Sequence, residues 1–416
     1  MIFIQNDILY LYEISSRYFL KRKIHIDKIS LLFFVAYKYG GHIKVYITRE
    51  ILLCSLSVFI LFALACDNSS TQKATHDITL TDEILIGIVY PIESRDKDTF
   101  YRKGIDLALD TINNSGGIDG RKIKAIFRDD RGVVHTAMQI AETFKEHGTT
   151  LVLGHWSTNV CYFVIDVYEK NEVVMLTPAA SGMNLFDYEY DYIFRMCANN
   201  QVLSRALANF SAKTGHRRIA IFYDDDEYGL DFATAMESEL NKLNIDVVDR
   251  VSSITVSNIR NLLARWNAFG CDGIYIASSI ENYVEPIKIL RQIDKDIPIF
   301  GADNFGHKNF LEVMSDYTDN VYIASYDIEN INSEFYDLFV ATYGHAPDTS
   351  AISGFESLYL LKVAVETTGS IAASEIATYL SSLKDFPVLS GVLSYNATTQ
   401  EFDGYNVVVR KIRPQK

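Results

Sequence analysis

Short apolar runs alternate with amphipathic segments along most of this chain. Residues 84–89 form a continuous apolar run, which predicts a buried strand. Residues 100–114 carry apolar side chains at helical spacing, and the glycine-rich stretch 116–120 ends the predicted helix. Further patterns predict a strand at 122–128 and a helix at 135–146. The first half of the chain therefore alternates strand and helix.

The same alternation restarts at residue 218. It predicts strands at 218–223, 245–251, 273–277 and 297–301, and helices at 231–243 and 258–269. Alternating strands and helices favour a parallel sheet that is covered on both faces. Because two such runs follow each other without a Pro/Gly-rich linker, we expect an α/β fold of two similar lobes joined by a compact hinge.

Two polar segments follow predicted strands of the first half, where helices begin. Residues 154–158 come after an apolar run at 150–153, and residues 176–181 come after another at 172–175. Ligands of open α/β sheets bind beyond the carboxyl ends of the strands. The hydroxyls of Thr158 and Ser181 would there help helix N–H groups to hold a small anion such as a carboxylate. The alternative is that both residues serve only as N-caps.

An apolar stretch near the front of the chain predicts export. Residues 51–65 are almost entirely apolar and stop at Cys66. The stretch is shorter than the ~20 residues of a spanning helix, and it is typical of the h-region of a secretory signal. Residues 63–66, Ala-Leu-Ala-Cys, resemble the lipobox of bacterial lipoproteins, in which the cysteine becomes the lipidated first residue. Soluble secretion and an uncleaved anchor are the alternatives.

The flanks of this stretch carry two further predictions. The polar residues after Cys66 are typical of a flexible tether. Residues 1–43 fit no ordinary signal peptide, because they are long and contain a separate apolar patch at 29–35. Either the start is assigned too early and the product begins near Lys44, or the segment is an extension that lies on the membrane.

Composition excludes several classes of protein. Without the eight basic and four acidic residues of 1–66, the chain of 39 basic and 53 acidic residues keeps a net charge of −18, which argues against nucleic acid as a partner. The spacing of Cys161, Cys197 and Cys271 matches no metal site or disulfide framework, and buried free thiols are expected. No His/Asp/Glu cluster has metal-ligand spacing, and no Gly-x-Ser-x-Gly elbow surrounds Ser157. We therefore predict neither an enzyme nor a cofactor.

An ordered set of segments resembles a known family. In the first half the set is 84–90, 116–122 with 128–130, 154–158, 177–181 and 192–195, and in the second half it is 224–229 and 300–303. In this order they resemble the type I periplasmic binding proteins of the leucine/isoleucine/valine-binding kind, which serve ABC importers. The resemblance implies two Rossmann-like lobes, the first from 83–199 and 327–390 and the second from 200–326 and 391–416. Before them come the extension 1–43, a lipoprotein-type signal peptide at 44–66 and a tether at 67–82.

The resemblance also implies an amino-acid site. In the first lobe Thr158 matches the hydroxyl residue that binds the carboxylate, the Ala179 carbonyl would accept from the ammonium group, and Ser181 would add hydroxyl and amide contacts. Trp156 occupies a side-chain pocket position.

The second lobe would supply two further contacts. Tyr228 matches an aromatic residue that covers the ligand, and Asp303 matches the acidic residue that pairs with the ammonium. Ser279 stands where branched-chain binders often carry tyrosine, so the resemblance leaves the ligand open. A turn is the alternative role for both Tyr228 and Asp303, and the acidic run 224–227 is expected to be a solvated loop.

These features together predict a solute-binding lipoprotein of the cell envelope. Its partners would be a small ligand such as an amino acid, the permease subunits of an ABC transporter, and a membrane through the lipid anchor. The alternative is a ligand-sensing module that reports to a membrane receptor.

The apolar stretch generates a first testable prediction. Maturation makes Cys66 the first residue, because the h-region ends at Ala65 and Cys66. Mass spectrometry of membrane-extracted protein is expected to find a lipid-modified N-terminal cysteine there. Recovery of a mature protein that still begins at residue 1 would contradict it.

Overall fold

The computed structural model divides the chain into two compact units, residues 1–78 and 79–416. The structure describes residues 37–39, 42–44, 83–95, 99–252, 255, 257–278, 280–306 and 308–412. The described part of the first unit is an antiparallel hairpin of β1 (Tyr37–Tyr39) and β2 (His42–Lys44). The predicted extension, signal peptide, lipidation site Cys66 and tether otherwise lie outside the described residues.

A five-stranded parallel sheet organises the first lobe of the second unit. Its strands are β3 (Glu83–Tyr90), β4 (Lys122–Asp129), β5 (Leu151–Leu153), β6 (Val174–Thr177) and β7 (Ile193–Arg195). They lie in the order β4-β3-β5-β6-β7. The helices are α1 (Ile92–Arg95), α2 (Phe100–Asn114), α3 (Val134–Glu146) and α4 (Thr158–Lys170), with a 3-10 turn at Met183–Phe186. Two apolar clusters, one on each face of the sheet, form the core.

Helix α2 shows how local sequence sets these boundaries. Thr99 caps it, because its hydroxyl accepts a hydrogen bond from the Arg102 N–H at 3.1 Å. The helix ends where Gly117 adopts a positive φ of 76°, and a Cβ there would lie 2.1 Å from the Arg121 carbonyl oxygen. The prediction of a helix over 100–114 is confirmed at both ends.

The second lobe contains a six-stranded sheet. Its strands are β8 (Arg218–Tyr223), β9 (Asp246–Ser252), β10 (Gly273–Ala277), β11 (Ile299–Gly301), β12 (Val321–Tyr326) and β16 (Val407–Lys411). They lie in the order β16-β12-β11-β10-β8-β9. All neighbours are parallel except β16, which runs antiparallel to β12. The helices are α5 (Asn200–Thr214), α6 (Glu227–Lys242), α7 (Ile259–Ala268), α8 (Ile280–Ile293) and α9 (Lys308–Met314), with 3-10 turns at Asp303–Gly306, Ser315–Tyr317 and Ile328–Asn330. The predicted two-lobed α/β fold is confirmed.

The later elements are shared between the lobes. They are α10 (Ser333–Tyr343), α11 (Thr349–Thr368), α12 (Ala373–Ser381) and a small antiparallel sheet of β13 (Phe386–Val388), β14 (Gly391–Asn396) and β15 (Glu401–Tyr405). Helix α10 packs on the second lobe through Phe335 and Phe339. Leu393 of β14 and Phe402 of β15 pack into the core cluster of the first sheet. Only β16 joins the second sheet, so the chain crosses to that sheet near Asn406.

Helices α2 and α11 pack with their backbones almost in contact. A Cβ on Gly104 would lie 2.1 Å from the Ala351 carbonyl oxygen, and one on Gly354 would lie 2.5 Å from the Tyr101 carbonyl oxygen. The start of α11 belongs to an apolar cluster of the second sheet, and Leu358 and later residues belong to one of the first sheet. This pair therefore connects both cores.

Two tyrosines tie together the three segments at which the chain changes lobe. Tyr326 and Tyr405 stack with ring centroids 6.0 Å apart. The Tyr326 hydroxyl accepts a hydrogen bond from the Ala198 N–H at 3.2 Å, and the Tyr405 hydroxyl donates to the Arg195 carbonyl at 3.2 Å. The Arg195 guanidinium forms a buried ion pair with Glu401 at 2.7 Å. The hinge is thus aromatic and tightly packed.

No helix within the described residues is long and apolar enough to span a bilayer.

Burial of Glu356 on α11 predicts a pH-dependent stability. Its carboxyl accepts hydrogen bonds from the Ser390 N–H at 3.0 Å and hydroxyl at 2.7 Å. Burial nevertheless raises the pKa of Glu356 to about 7. The folded protein therefore holds the proton of Glu356 more tightly than the unfolded chain does. The protonated carboxyl makes its full contribution to the free energy of unfolding below about pH 4.5, and this contribution is lost as the pH rises through 7.

Glu356→Gln is expected to remove this loss, because glutamine is neutral and still accepts from Ser390. Between pH 5 and pH 8 the variant should gain roughly 3 kcal/mol in unfolding free energy relative to the parent protein, measured by urea unfolding. Glu375→Gln, an exposed position on α12, is the control and should show no such gain. Parallel pH profiles for the parent protein and Glu356→Gln would contradict the prediction.

Candidate functional site

Two loops at the carboxyl edge of the first sheet are bonded to each other. The Thr158 hydroxyl accepts a hydrogen bond from the Gly182 N–H at 3.1 Å. The Thr177 hydroxyl donates to the His155 carbonyl at 2.8 Å and accepts from the Ala180 N–H at 3.2 Å. The structure therefore brings Thr158 and Ser181 together, and one role of Thr158 is to hold the second loop in place.

The His155 side chain anchors the first of these loops, residues 154–158, to the core of the first lobe. Its Nδ1 lies 2.6 Å from Asp130 Oδ2, and its Nε2 lies 3.1 Å from the Tyr168 hydroxyl. All three side chains are buried. Because both ring nitrogens are engaged in the core, the imidazole is not paired with Ser157, and no base–nucleophile pair is formed there.

The described cysteines are free thiols, as the sequence predicts. Cys161 and Cys197 are buried, whereas Cys271 is partly exposed. Burial raises the pKa of the Cys161 thiol to about 12, so this thiol is unreactive at neutral pH. Within the described part of the chain, no group of three His, Cys, Asp or Glu side chains is arranged to hold a metal ion.

A cavity of about 40 Å³ lies between the lobes beside the hinge. Three of the predicted site residues line it, namely Trp156, Ala179 and Ser181. The Trp156 ring packs edge-on against Tyr101, with centroids 5.0 Å apart. Because both lobes line it, this space is a place in which part of a ligand can be shielded from water.

Other residues of the cavity were missed by the sequence analysis. They come from the hinge, from the end of β12 and from the first two turns of α5 and α11, and they are Cys197, Ala198, Leu203, Ser325, Tyr326, Ser350 and Ser353. Pro178, which also lines the cavity, belongs to the predicted segment 176–181. The end of β12 was detectable in principle, because it lies at the same carboxyl edge as the other strands of its sheet. Nothing local in the sequence distinguishes the serines of α11 from ordinary helix residues.

Tyr228 lies directly across the cleft from the start of α4. Its backbone N–H donates to the Asn159 side-chain oxygen at 3.1 Å, and the Asn159 amide donates to Asp226 at 2.8 Å. The Tyr228 ring packs near Phe232, with centroids 5.7 Å apart. Tyr228 therefore lies beside Thr158, but it is not among the residues that line the cavity.

The acidic run 224–227 is only in part the solvated loop that the sequence predicts, because Asp225 and Glu227 are exposed whereas Asp224 is buried. Asp224 is buried and accepts from the Ser278 hydroxyl at 2.8 Å. Asp226 caps α6 by accepting from the Gly229 N–H at 2.8 Å, so the helix begins at Glu227 instead of the predicted residue 231. Local capping and contacts with the other lobe explain the difference.

The start of α6 makes further hydrogen bonds to the first lobe. Glu227 accepts from the Asn184 amide at 2.8 Å, and Asp231 accepts from the Met183 N–H at 3.0 Å. Asp231 also accepts from the Asn200 amide at 2.7 Å, and burial raises the pKa of its carboxyl. We call Asn159, Asn184 and Met183, with their acceptors on α6, the interlobe clasp.

Two predicted positions are described only in part or not at all. The backbone of Asp303 begins the 3-10 turn after β11, at the carboxyl edge of the second sheet. Its side chain lies outside the described part of the structure, as does Ser279. Pairing of Asp303 with an ammonium group therefore stays a prediction.

Comparison with known proteins identifies the family. The family model for periplasmic binding protein matches residues 83–410. A Leu/Ile/Val-binding protein of Rhizobium johnstonii is 24% identical over 341 residues, which cover 79% of this chain and 93% of the relative. These relatives are binding proteins and not enzymes.

Solved structures give the same result. An ABC transporter substrate-binding protein of Desulfitobacterium hafniense, in complex with Leu, is 27% identical with a TM-score of 0.72, covering 80% of this chain and 98% of the other. A branched-chain amino acid transporter substrate-binding protein of Streptococcus pneumoniae, in complex with isoleucine, shares the fold at 21% identity and a TM-score of 0.70, covering 80% and 97%. With its two lobes, hinge and cleft, the chain belongs to the periplasmic binding protein family.

Proposed function

We propose that this protein binds an amino acid or a similarly small molecule between its lobes and delivers it to an ABC permease. The observation that carries the proposal is the cavity, which is lined from both lobes at the carboxyl edges of the two sheets. Relatives with Leu/Ile/Val-binding names span most of the chain. Membership in a periplasmic family agrees with the extracytoplasmic location that the sequence predicts.

The start of α4 supports a carboxylate site. Ser157 stands at the N-cap position but makes no side-chain hydrogen bond to the helix. The first N–H groups of α4 therefore keep their capacity to bind an anion. Thr158 uses its hydroxyl oxygen as an acceptor for Gly182, so its proton remains available for a carboxylate oxygen.

An ammonium group needs acceptors on the opposite side of the ligand. We assign this role to the Ala179 carbonyl and the Asp303 carboxylate, with Tyr228 covering the ligand from the second lobe. A zwitterion that leaves water costs several kcal/mol unless both of its charges meet partners. The proposed pairs would supply them.

Closure of the lobes would seal this site. The hinge tyrosines allow the lobes to rotate about one packed point, and the clasp joins them at the mouth of the cleft. Hinge closure around a ligand is the known motion of periplasmic binding proteins as a class. In our proposal the closed form presents both lobes to the permease, and a lipid on Cys66 keeps the protein at the membrane.

The clasp leads to a prediction about closure. Asn159→Ala removes both hydrogen bonds of the Asn159 amide and is expected to shift the open–closed equilibrium toward open by about 1–3 kcal/mol. Small-angle scattering of the ligand-free variant should give a larger radius of gyration than the parent protein. Asn171→Ala is the matched control, because Asn171 donates to Glu142 within the first lobe. Equal radii for all three proteins would contradict a role of the clasp in closure.

The ammonium site leads to a second prediction. A thermal-shift screen of the twenty amino acids identifies the ligands, and calorimetry compares the variants with the best of them. Asp303→Asn should weaken binding by roughly a hundredfold or more, because breaking a desolvated charge pair costs about 3–5 kcal/mol. Thr158→Ala should weaken it less, since a neutral hydrogen bond contributes about 1 kcal/mol. Unchanged affinity in Asp303→Asn would remove the ammonium role.

A further inference from the structure

Two serine hydroxyls in the cavity have no partner. Ser181 and Ser353 both line it, at 7% and 6% exposure. Neither hydroxyl makes a hydrogen bond to any residue that the structure describes. Both hydroxyls therefore keep hydrogen-bonding capacity at the wall of the cavity, where only water can use it. A polar group of a ligand that enters the cavity could take the place of that water.

Other polar groups of the cavity are already satisfied. The Ser325 hydroxyl accepts from the Arg410 guanidinium at 3.1 Å and donates to the Tyr326 carbonyl at 3.2 Å. The Tyr326 hydroxyl accepts from the Ala198 N–H. These groups form part of the cavity wall, whereas the hydroxyls of Ser181 and Ser353 remain available to hydrogen-bond a group inside the cavity.

The backbone at Ser353 is held in place. Asp348 caps the helix by accepting from the Ala351 N–H at 3.0 Å. One residue after Ser353, Gly354 packs so closely on α2 that a Cβ would lie 2.5 Å from the Tyr101 carbonyl oxygen. Helix α11 therefore cannot rotate to turn Ser353 away from the cavity without a clash. The Ser353 hydroxyl is therefore preorganised to form a hydrogen bond with a polar group of a bound ligand.

We propose that Ser353 is a ligand-binding residue that selects amino acids with a hydroxyl or amide group in the side chain. The inference rests on the proposed function, in which Ser181 and the start of α4 take the carboxylate. The distal part of the ligand would then reach the α11 side of the cavity, where Ser353 meets it. An aliphatic side chain of the same shape would leave the hydroxyl unpaired, so it binds more weakly.

The test uses pairs of ligands with nearly the same shape. Calorimetry compares threonine with valine and asparagine with leucine. The parent protein is expected to bind the polar member of at least one pair about tenfold or more tightly. Ser353→Ala should reduce the ratio of the polar ligand's affinity to the apolar ligand's affinity to near one. Because alanine is a good helix former, the variant should fold normally.

Ser357→Ala is the matched control. Ser357 lies one turn further along α11, is buried without a hydrogen-bond partner, and does not line the cavity. It should leave the polar-to-apolar ratio unchanged. Tighter or equal binding of valine and leucine by the parent protein would overturn the inference, as would a ratio that Ser353→Ala does not alter. If none of the twenty amino acids binds, this inference fails together with the amino-acid form of the proposed function.

Discussion

The contact on which the two-lobed arrangement depends is the stacked pair of Tyr326 and Tyr405. Each ring belongs to a different segment at which the chain changes lobe, and the hydroxyls bind the backbone of the third, at Ala198 and Arg195. Three separate crossings are thereby gathered at one packed point. Aromatic pairs combine a large buried area with a defined geometry, so the crossing segments can bend around this point without sliding apart. The cavity lies directly beside it, with Tyr326 in its wall.

The two lobes contribute to the candidate site in different ways. The first-lobe loops are fixed by bonds within that lobe, through Thr158, Thr177 and the buried His155–Asp130 pair. The second lobe reaches them through two helix starts, that of α6 and that of α5, where the Asn200 N–H donates to the Ser181 carbonyl at 2.8 Å. The first lobe thus provides a preformed part of the site, and the second lobe completes the site when the lobes close. Because the preformed part is already ordered, little conformational entropy is lost there on binding.

Periodicity was sufficient to predict β3 to β6, β8 to β11, α2 and the two-lobed α/β fold, because apolar spacing reports directly on burial. It did not predict β7, β12 or the strands after residue 385. It was insufficient where function depends on contacts between distant segments. The acidic run at 224–227 appears solvated in sequence, yet Asp226 bonds Asn159, 67 residues away in the chain. The antiparallel strands β14 and β15 carry apolar residues that either lobe could bury, so the local pattern does not indicate that Leu393 and Phe402 pack into the core of the first sheet. Ser353 has no local signature, since only the tertiary fold turns it toward the cavity.

The chemistry of the clasp has a consequence for the ionic conditions outside the cytoplasm. Its acceptors are the carboxylates of Asp226, Glu227 and Asp231, but its first-lobe donors are uncharged: two side-chain amides and a backbone N–H. Closing the lobes through these contacts does not join opposite ions, so dissolved salt has little attraction between them to screen. A clasp made of lysine or arginine would loosen as ionic strength rose. We therefore expect the hydrogen bonds of this clasp to depend less on ionic strength, with the attraction between Arg195 and Asp231 as the part that salt would screen.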